Sequence, residues 1–125
     1  MQKTLPFLLP VAAAAALCTA IACAAAEPAR ATDGVLVTAT GMTLYTFDKD
    51  ADGKSACNGP CATNWPPLAA GADAKAEGAW SLVARDDGSH QWAYKGKPLY
   101  TFQKDAKPGD RAGDNFKDIW HVARP

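Results

Sequence analysis

Gly41-Met-Thr-Leu-Tyr45-Thr-Phe47-Asp-Lys-Asp50-Ala51 returns later in the chain as Gly96-Lys-Pro-Leu-Tyr100-Thr-Phe102-Gln-Lys-Asp105-Ala106. The two stretches run on without a gap to Trp65 and Trp120, at a constant offset of 55 residues. Of the 25 aligned positions, 9 are identical, crowded at the front and closed by the tryptophans. Self-similarity at a fixed offset outranks any local pattern as a guide to architecture. It implies two copies of one unit, residues 35–68 and 90–125, that pack together and share a core within a single domain, 35–125.

The residues around the repeated glycines are β-forming. Val35–Ala39 precedes Thr40-Gly41 and Met42–Phe47 follows it; His90–Tyr94 precedes Lys95-Gly96 and Lys97–Phe102 follows. Two short runs around a residue-Gly pair predict a tight hairpin, with the glycine supplying the positive φ that other residues resist. Alternation puts Leu44 and Thr46 on one strand face and Tyr45 and Phe47 on the other. A further strand is expected over Trp80–Ala84, joined to His90 by the turn-forming Arg85-Asp-Asp-Gly-Ser89. A last strand over Ile119–Ala123 carries Trp120 and Val122 on one face. Residues 69–79 hold two glycines and no apolar stripe, so they read as the connection between copies, and no helix is assigned. The fold class is therefore all-β: an antiparallel meander of two pseudo-symmetric repeats, either a small sandwich or a partly closed barrel.

The chain opens on one basic residue, Lys3, followed by an Ala- and Leu-rich stretch from Leu5 to Ala26 that ends in small residues. That order describes a secretory signal peptide over residues 1–26, not a fold element. The stretch is long enough to cross a bilayer, but alanine contributes little transfer free energy and the small-residue end suits a peptidase. Two cut sites compete. Ala20-Ile21-Ala22-Cys23 approximates a lipobox, with Ala where Leu is usual, and would leave Cys23 to carry a lipid that anchors the protein without spanning the membrane. Ala24-Ala25-Ala26 is an ordinary A-x-A site. Residues 27–34 lack apolar periodicity and read as a linker. The whole chain carries 13 basic and 13 acidic side chains; losing Lys3 with the signal leaves 12 against 13, a net charge of −1. That balance gives no electrostatic reason to expect nucleic acid as a partner. Membrane contact is then expected through a lipid anchor only.

Both copies carry Tyr-x4-Asp: Tyr45 with Asp50, and Tyr100 with Asp105. With these tandem motifs, the export signal and Cys57-Asn-Gly-Pro-Cys61-Ala-Thr-Asn-Trp65-Pro-Pro67, the chain resembles the bacterial lipoprotein family of secreted repeats of unknown function. The resemblance covers nearly all of the mature domain. It implies an exported, envelope-attached protein in the periplasm or outer envelope, and it implies no activity. Tyr45, Asp50, Tyr100, Asp105, Trp65 and Trp120 are the family-motif residues here. A buried tyrosine hydroxyl needs a partner, and an aspartate just past a strand can accept turn N–H groups. The motif thus reads as structural in preference to a duplicated ligand-contacting pair.

Two constellations carry possible chemistry. Cys57 and Cys61 enclose the turn-forming Asn-Gly-Pro, and export places them where close pairs become disulfides. Their counterparts in the second copy are Ala112 and Phe116, so only one copy can be stapled. The sharper reading is a redox pair or a copper site on soft thiolates, with His90 or His121 as a third ligand. Asp48-Lys-Asp50-Ala-Asp52-Gly53 opens like a calcium loop, three carboxylates at alternate positions. The closing acidic position is Gly59 and the flanks are β-like, so the motif is incomplete. The stretch Asp110–Asp118 reads as a polar connector. No activated nucleophile, paired carboxylates in a cleft or phosphate loop can be picked out. The reading is a non-enzymatic binding or structural module of the envelope without a required cofactor, its partner an unidentified envelope protein or small ligand. Calcium at Asp48, Asp50 and Asp52, or copper or redox chemistry at Cys57 and Cys61, stand as the alternatives.

Overall fold

The structure, a computed structural model, describes residues 28–125. The expected signal, its two cut sites and Cys23 lie outside the described residues.

The elements run β1 (Arg30–Thr32), β2 (Val35–Val37), β3 (Tyr45–Phe47), α1 (Pro60–Asn64), β4 (Ala69–Ala70), β5 (Trp80–Ala84), β6 (His90–Tyr94), β7 (Lys97–Pro98) and β8 (Trp120–Val122). β1 pairs with β2 and β3 with β8. A further sheet has the order β4-β6-β5, with β7 also on β6, and every pairing is antiparallel. The architecture is the expected all-β one, a small sandwich in which no barrel closes.

The strands are shorter than the sequence patterns that predict them, because each extended run changes partner along its length. In the first copy Leu44 donates its N–H to Leu36, its hairpin neighbour, at 3.0 Å. One residue later Tyr45 exchanges both backbone hydrogen bonds with Tyr100 (2.7 and 3.0 Å), and beyond it β3 lies on β8. The second copy does the same. Leu99 bonds to Trp92 at 3.0 Å, and past Tyr100 the chain lies along Trp65–Leu68. The offset of 55 holds in space. Asp48 N–H to Ile119 O (2.8 Å) is repeated by Gln103 N–H to Asn64 O (2.9 Å), and Ala123 N–H to Leu44 O (2.8 Å) by Leu68 N–H to Leu99 O (2.9 Å). The last strand of each copy is thus built onto the tyrosine strand of the other. The Tyr45–Tyr100 bridge marks the pseudo-two-fold centre.

The alternation along the tyrosine strands feeds two cores. Tyr45 and Tyr100 turn into an aromatic cluster with Val35, Val37, Trp65, Phe102, Trp120 and Val122, while Leu44 and Leu99 turn the other way onto Leu36, Ala29 and Ala123. Burial on both faces follows from the strand's position between two layers. At the centre of the aromatic cluster four rings lie in one pile, Phe47–Trp120–Trp65–Phe102. The centroid spacings are 4.1, 3.8 and 4.0 Å and the interplanar angles 12°, 2° and 17°. Each phenylalanine stacks on the tryptophan of the other copy.

Three features depart from the sequence reading. Residues 27–34, read as a linker, contain β1, which pairs with β2 across an Asp33-Gly34 turn with φ of 53° and 79°. That residue-Gly pair carries the hairpin signature already used at Lys95-Gly96, where φ is 52° and 85°. A helical turn, α1, occupies the cysteine loop. Pro60 stands at its start, where the missing N–H costs nothing, and Gly59 precedes it at φ 58°. The connection between copies is partly ordered as β4, which pairs with β6.

Gly113 makes room for the pile. A Cβ there would stand 2.6 Å from Cη2 and 2.8 Å from Cζ3 of Trp65, closer than carbons approach one another, and 3.0 Å from Cδ2 of Phe102. Gly71 has open space around it. In urea denaturation, Gly113→Ala is expected to lose about 1–3 kcal/mol of stability by overpacking, and Gly71→Ala to stay within about 0.5 kcal/mol of the parent. Equal losses would mean that the tryptophan does not sit where the pile requires.

Candidate functional site

Tyrosine and aspartate of the motif do not meet within their own copy. The Tyr45 hydroxyl donates to Oδ2 of Asp105 at 2.6 Å, and the Tyr100 hydroxyl donates to Oδ2 of Asp50 at 2.7 Å. Each aspartate reaches this position because its N–H closes a turn on the preceding phenylalanine, Asp50 on Phe47 O and Asp105 on Phe102 O, both at 3.1 Å. Its other oxygen accepts a backbone N–H of its own loop, Ala56 to Asp50 Oδ1 at 2.6 Å and Ala112 to Asp105 Oδ1 at 2.9 Å. One carboxylate therefore shapes its own loop and holds the other copy's tyrosine. Charge-assisted bonds of this kind contribute about 1.5–3 kcal/mol each.

The two clasps differ in what surrounds them. Behind Tyr100 a hydrogen-bonded chain runs in from a buried guanidinium. Arg85 donates to Ser55 Oγ (3.0 Å), Ser55 Oγ lies 2.6 Å from the Tyr100 hydroxyl, and that hydroxyl donates to Asp50. Ser55 Oγ also accepts the Cys57 N–H, and with the Tyr100 proton committed to Asp50 it donates its own to Tyr100, the Cys57 carbonyl lying farther off at 3.5 Å. Arg85 is further held by Gln91 Oε1 (2.8 Å) and the Cys57 carbonyl (2.7 Å), and Gln91 is itself wholly buried. Behind Tyr45 the Gly113 N–H donates to the hydroxyl at 3.2 Å, and Asp114 lies near enough to add negative charge. Burial pushes the Asp50 carboxyl above its usual range, against the pull of the Ala56 N–H, Tyr100 and Arg85. Burial, and then the carboxylate to which each donates, raises both tyrosine hydroxyls well above their ordinary value. Arg85, Gln91 and Ser55 escaped the sequence reading, since each stands in a stretch that looks like an ordinary turn or strand.

Cys57 and Cys61 form a disulfide across Cα atoms 5.2 Å apart. The copper and redox-thiol readings require free thiolates, which this pair does not offer. His121 instead places Nε2 2.8 Å from Asp48 Oδ2 and Nδ1 3.1 Å from Asn115 Oδ1, and His90 is an exposed residue of β6. The three calcium-loop carboxylates diverge. Asp48 turns to His121, Asp50 is committed to Ala56 and Tyr100, and Asp52 lies against Gly96. Among the described residues no group of three His, Cys, Asp or Glu side chains is placed to hold a metal ion. The disulfide packs on the aromatic cluster, and in the second copy Phe116 occupies the counterpart position, edge-on to Trp65 at 5.6 Å. A staple and a ring do the same packing in the two copies.

Away from the clasps, a cleft of about 740 Å³ opens between β1 and the segment that leads into β5. Trp80, Trp92 and Tyr94 form its wall, with Trp80 tilted on Tyr94 at 4.8 Å and edge-on to Trp92 at 6.1 Å. All three are half-buried. Arg30, Lys75, Asp73 and Glu77 stand around it, two cations against two carboxylates, and Pro28 and Pro125 bring the two ends of the described chain to the same place. The sequence places these aromatics on strands; their convergence depends on pairing β5 with β6, which sets Trp80 opposite Tyr94 and Leu82 opposite Trp92.

The family of secreted repeats of unknown function matches residues 29–69 and 81–124, and the chain belongs to it. The protein is therefore an exported one. No curated protein and no solved structure matches the chain. No helix among the described residues is long and apolar enough to cross a membrane.

The raised tyrosines fix the sign of an alkaline effect. Their protons are held more tightly in the folded protein than in the unfolded chain, so the stability they contribute is full below about pH 10 and is lost as pH rises toward the folded values. Above that point, stability is expected to fall by about 1.4 kcal/mol per pH unit for each tyrosine. Urea midpoints measured through this range should drop half as steeply in Tyr100→Phe. An unchanged slope would mean that Tyr100 is not clasped.

Proposed function

We propose that this protein is a non-enzymatic module of the bacterial envelope, tethered at its N-terminus by a lipid on Cys23, that binds an uncharged envelope glycan in the Trp80–Trp92–Tyr94 cleft. The observation that carries this reading is the cleft itself. Three half-buried aromatic side chains face a cavity of about 740 Å³ and take no part in the central pile. Aromatic faces stack on the C–H faces of sugars. A rim with equal numbers of cations and carboxylates offers hydrogen bonds to hydroxyls without favouring either sign of ligand charge. Rigid aromatics supply contact area at low entropic cost.

The cleft also suits a tethered protein. Pro28 lines it, and Cys23 is five residues earlier. An extended chain of that length spans at most about 18 Å, so a lipid on Cys23 would hold the cleft close to the membrane surface.

Two measurements test the reading. The intact mass of protein taken from its own envelope is expected to show a diacyl increment on a chain beginning at Cys23; a chain beginning at Glu27 removes the anchor. Titration of the soluble domain with solubilised cell-wall glycan fragments is expected to quench tryptophan fluorescence saturably. Trp92→Ala should weaken binding by about tenfold or more, the 1.4 kcal/mol of a single good aromatic contact. An unquenched titration sinks the glycan assignment.

A further inference from the structure

The ring pile and the clasps hold the core together, and their arrangement also places oxidisable rings beside proton acceptors. Trp65 and Trp120 are 4% and 3% exposed and lie face to face at 3.8 Å and 2°. Phe102 and Phe47 cover their outer faces and exclude water from them. Tyr45 meets Trp65 edge-on at 5.3 Å and 82°, and Tyr100 meets Trp120 edge-on at 5.2 Å and 88°. Each phenol already donates to a carboxylate, at 2.6 Å and 2.7 Å. The carboxylate oxygen that receives the phenol is separate from the one bound by the backbone N–H. Indoles and phenols are the side chains most readily oxidised by one electron, and an oxidised phenol is a strong acid. A buried phenol can give up an electron at low cost only where a base stands ready for its proton.

We propose that this assembly is a one-electron relay, in which an oxidant takes an electron from the Trp65–Trp120 pair and the oxidation settles as a phenoxyl radical on Tyr45, its proton passing to Asp105. A one-electron oxidant, a free radical or a high-valent metal complex, is reduced by one electron, and the indole pair becomes a cation radical shared between two stacked rings. Trp65 is restored by an electron from the edge-on Tyr45. The Tyr45 O–H bond breaks and an O–H bond forms on Asp105 Oδ2. Phenol plus carboxylate, net charge −1, become phenoxyl plus carboxylic acid, net charge zero, so the buried site ends with less charge than it began. A one-electron reductant such as a thiol or ascorbate reverses both transfers.

Tyr45 and not Tyr100 is the resting place because of Arg85. Its guanidinium is joined to the Tyr100 hydroxyl through Ser55 and opposes electron loss there, whereas among the described residues the group bonded behind Tyr45 is the Gly113 N–H. Entry is beside the pile. A groove of about 310 Å³ is lined by Trp65 and Trp120 together with Lys104 and Lys117, with no carboxylate in its lining. This relay is independent of the glycan cleft.

Pulse radiolysis with azidyl radical tests it on the soluble domain carrying Trp80→Phe, Trp92→Phe and Tyr94→Phe. That background leaves Trp65 and Trp120 as the only indoles and Tyr45 and Tyr100 as the only phenols. The indole-radical absorbance is expected to decay by a first-order process, independent of protein concentration, as the phenoxyl absorbance rises. The rate should be the same from mildly acidic to mildly alkaline pH, because the proton goes to Asp105 and not to buffer, and slower in D2O. Tyr45→Phe should remove most of the phenoxyl signal and Tyr100→Phe little of it. Asp105→Asn should slow its appearance by about tenfold or more while leaving the initial indole yield unchanged. An indole radical that decays without phenoxyl, or an Asp105→Asn rate equal to the parent's, overturns the relay. Should Asp105→Asn fail to fold, the solvent isotope effect on the folded background decides, and its absence overturns the relay too.

Discussion

Two phenol–carboxylate hydrogen bonds, each made across the boundary between copies, are the constraint from which the rest of this structure follows. Tyr45 cannot reach its partner unless Asp105 has closed its turn on Phe102, and Tyr100 depends in the same way on Asp50 and Phe47. Meeting both conditions at once sets the two tyrosine strands side by side, in register at Tyr45 and Tyr100. That register carries the last strand of each copy onto the other and brings the two tryptophans face to face. Either copy alone would hold a carboxylate without its tyrosine and an indole without its stacking partner. Buried polar groups left in that state cost more than a satisfied bond returns, so the domain is two repeats in sequence but one cooperative unit in space.

Against this shared frame the copies have diverged where the frame permits it. The first uses a disulfide where the second uses Phe116, and both fill the space beside the pile. The second adds a longer hairpin whose turn carries Arg85 into the protein, and the guanidinium is satisfied by groups of the first copy's cysteine loop, Ser55 and the Cys57 carbonyl. The disulfide thus helps to hold an otherwise expensive buried cation, as well as shortening a loop. Divergence in the outer hairpins also made the aromatic cleft, which has no counterpart in the first copy. β1 is three exposed residues, whereas β5 and β6 present Trp80, Trp92 and Tyr94. Duplication made the scaffold, and asymmetry made the surfaces that could act.

The repeat, the β class and the glycine hairpins were legible because they rest on local pattern. So was the structural role of the Tyr-x4-Asp motif, since a buried hydroxyl and a turn carboxylate both need partners. Which partner each takes was not legible. Tyr45 is five residues from Asp50 and sixty from Asp105, and the spacing within the motif invites the nearer pairing. Only the crossing of strands between copies decides for the distant one. The helical turn at Pro60 and the strand at Arg30 were missed for a related reason: each is too short for periodicity and is fixed by what it packs against. The Asp-x-Asp-x-Asp-Gly pattern does not reveal where its carboxylates go: Asp48 turns to His121 and Asp50 to Ala56 and Tyr100, while Asp52 lies beside Gly96. Arg85 and Gln91 gave no signal at all, since a buried charge in a turn sequence looks like an exposed one.

A double-mutant cycle on folding stability tests the exchange of partners between copies. Tyr45→Phe is combined once with Asp105→Asn and once with Asp50→Asn. A coupling of about 1 kcal/mol or more is expected between Tyr45 and Asp105, and additivity within about 0.5 kcal/mol between Tyr45 and Asp50. Coupling to Asp50 with additivity toward Asp105 would contradict the exchange, and would mean that each copy closes its own motif.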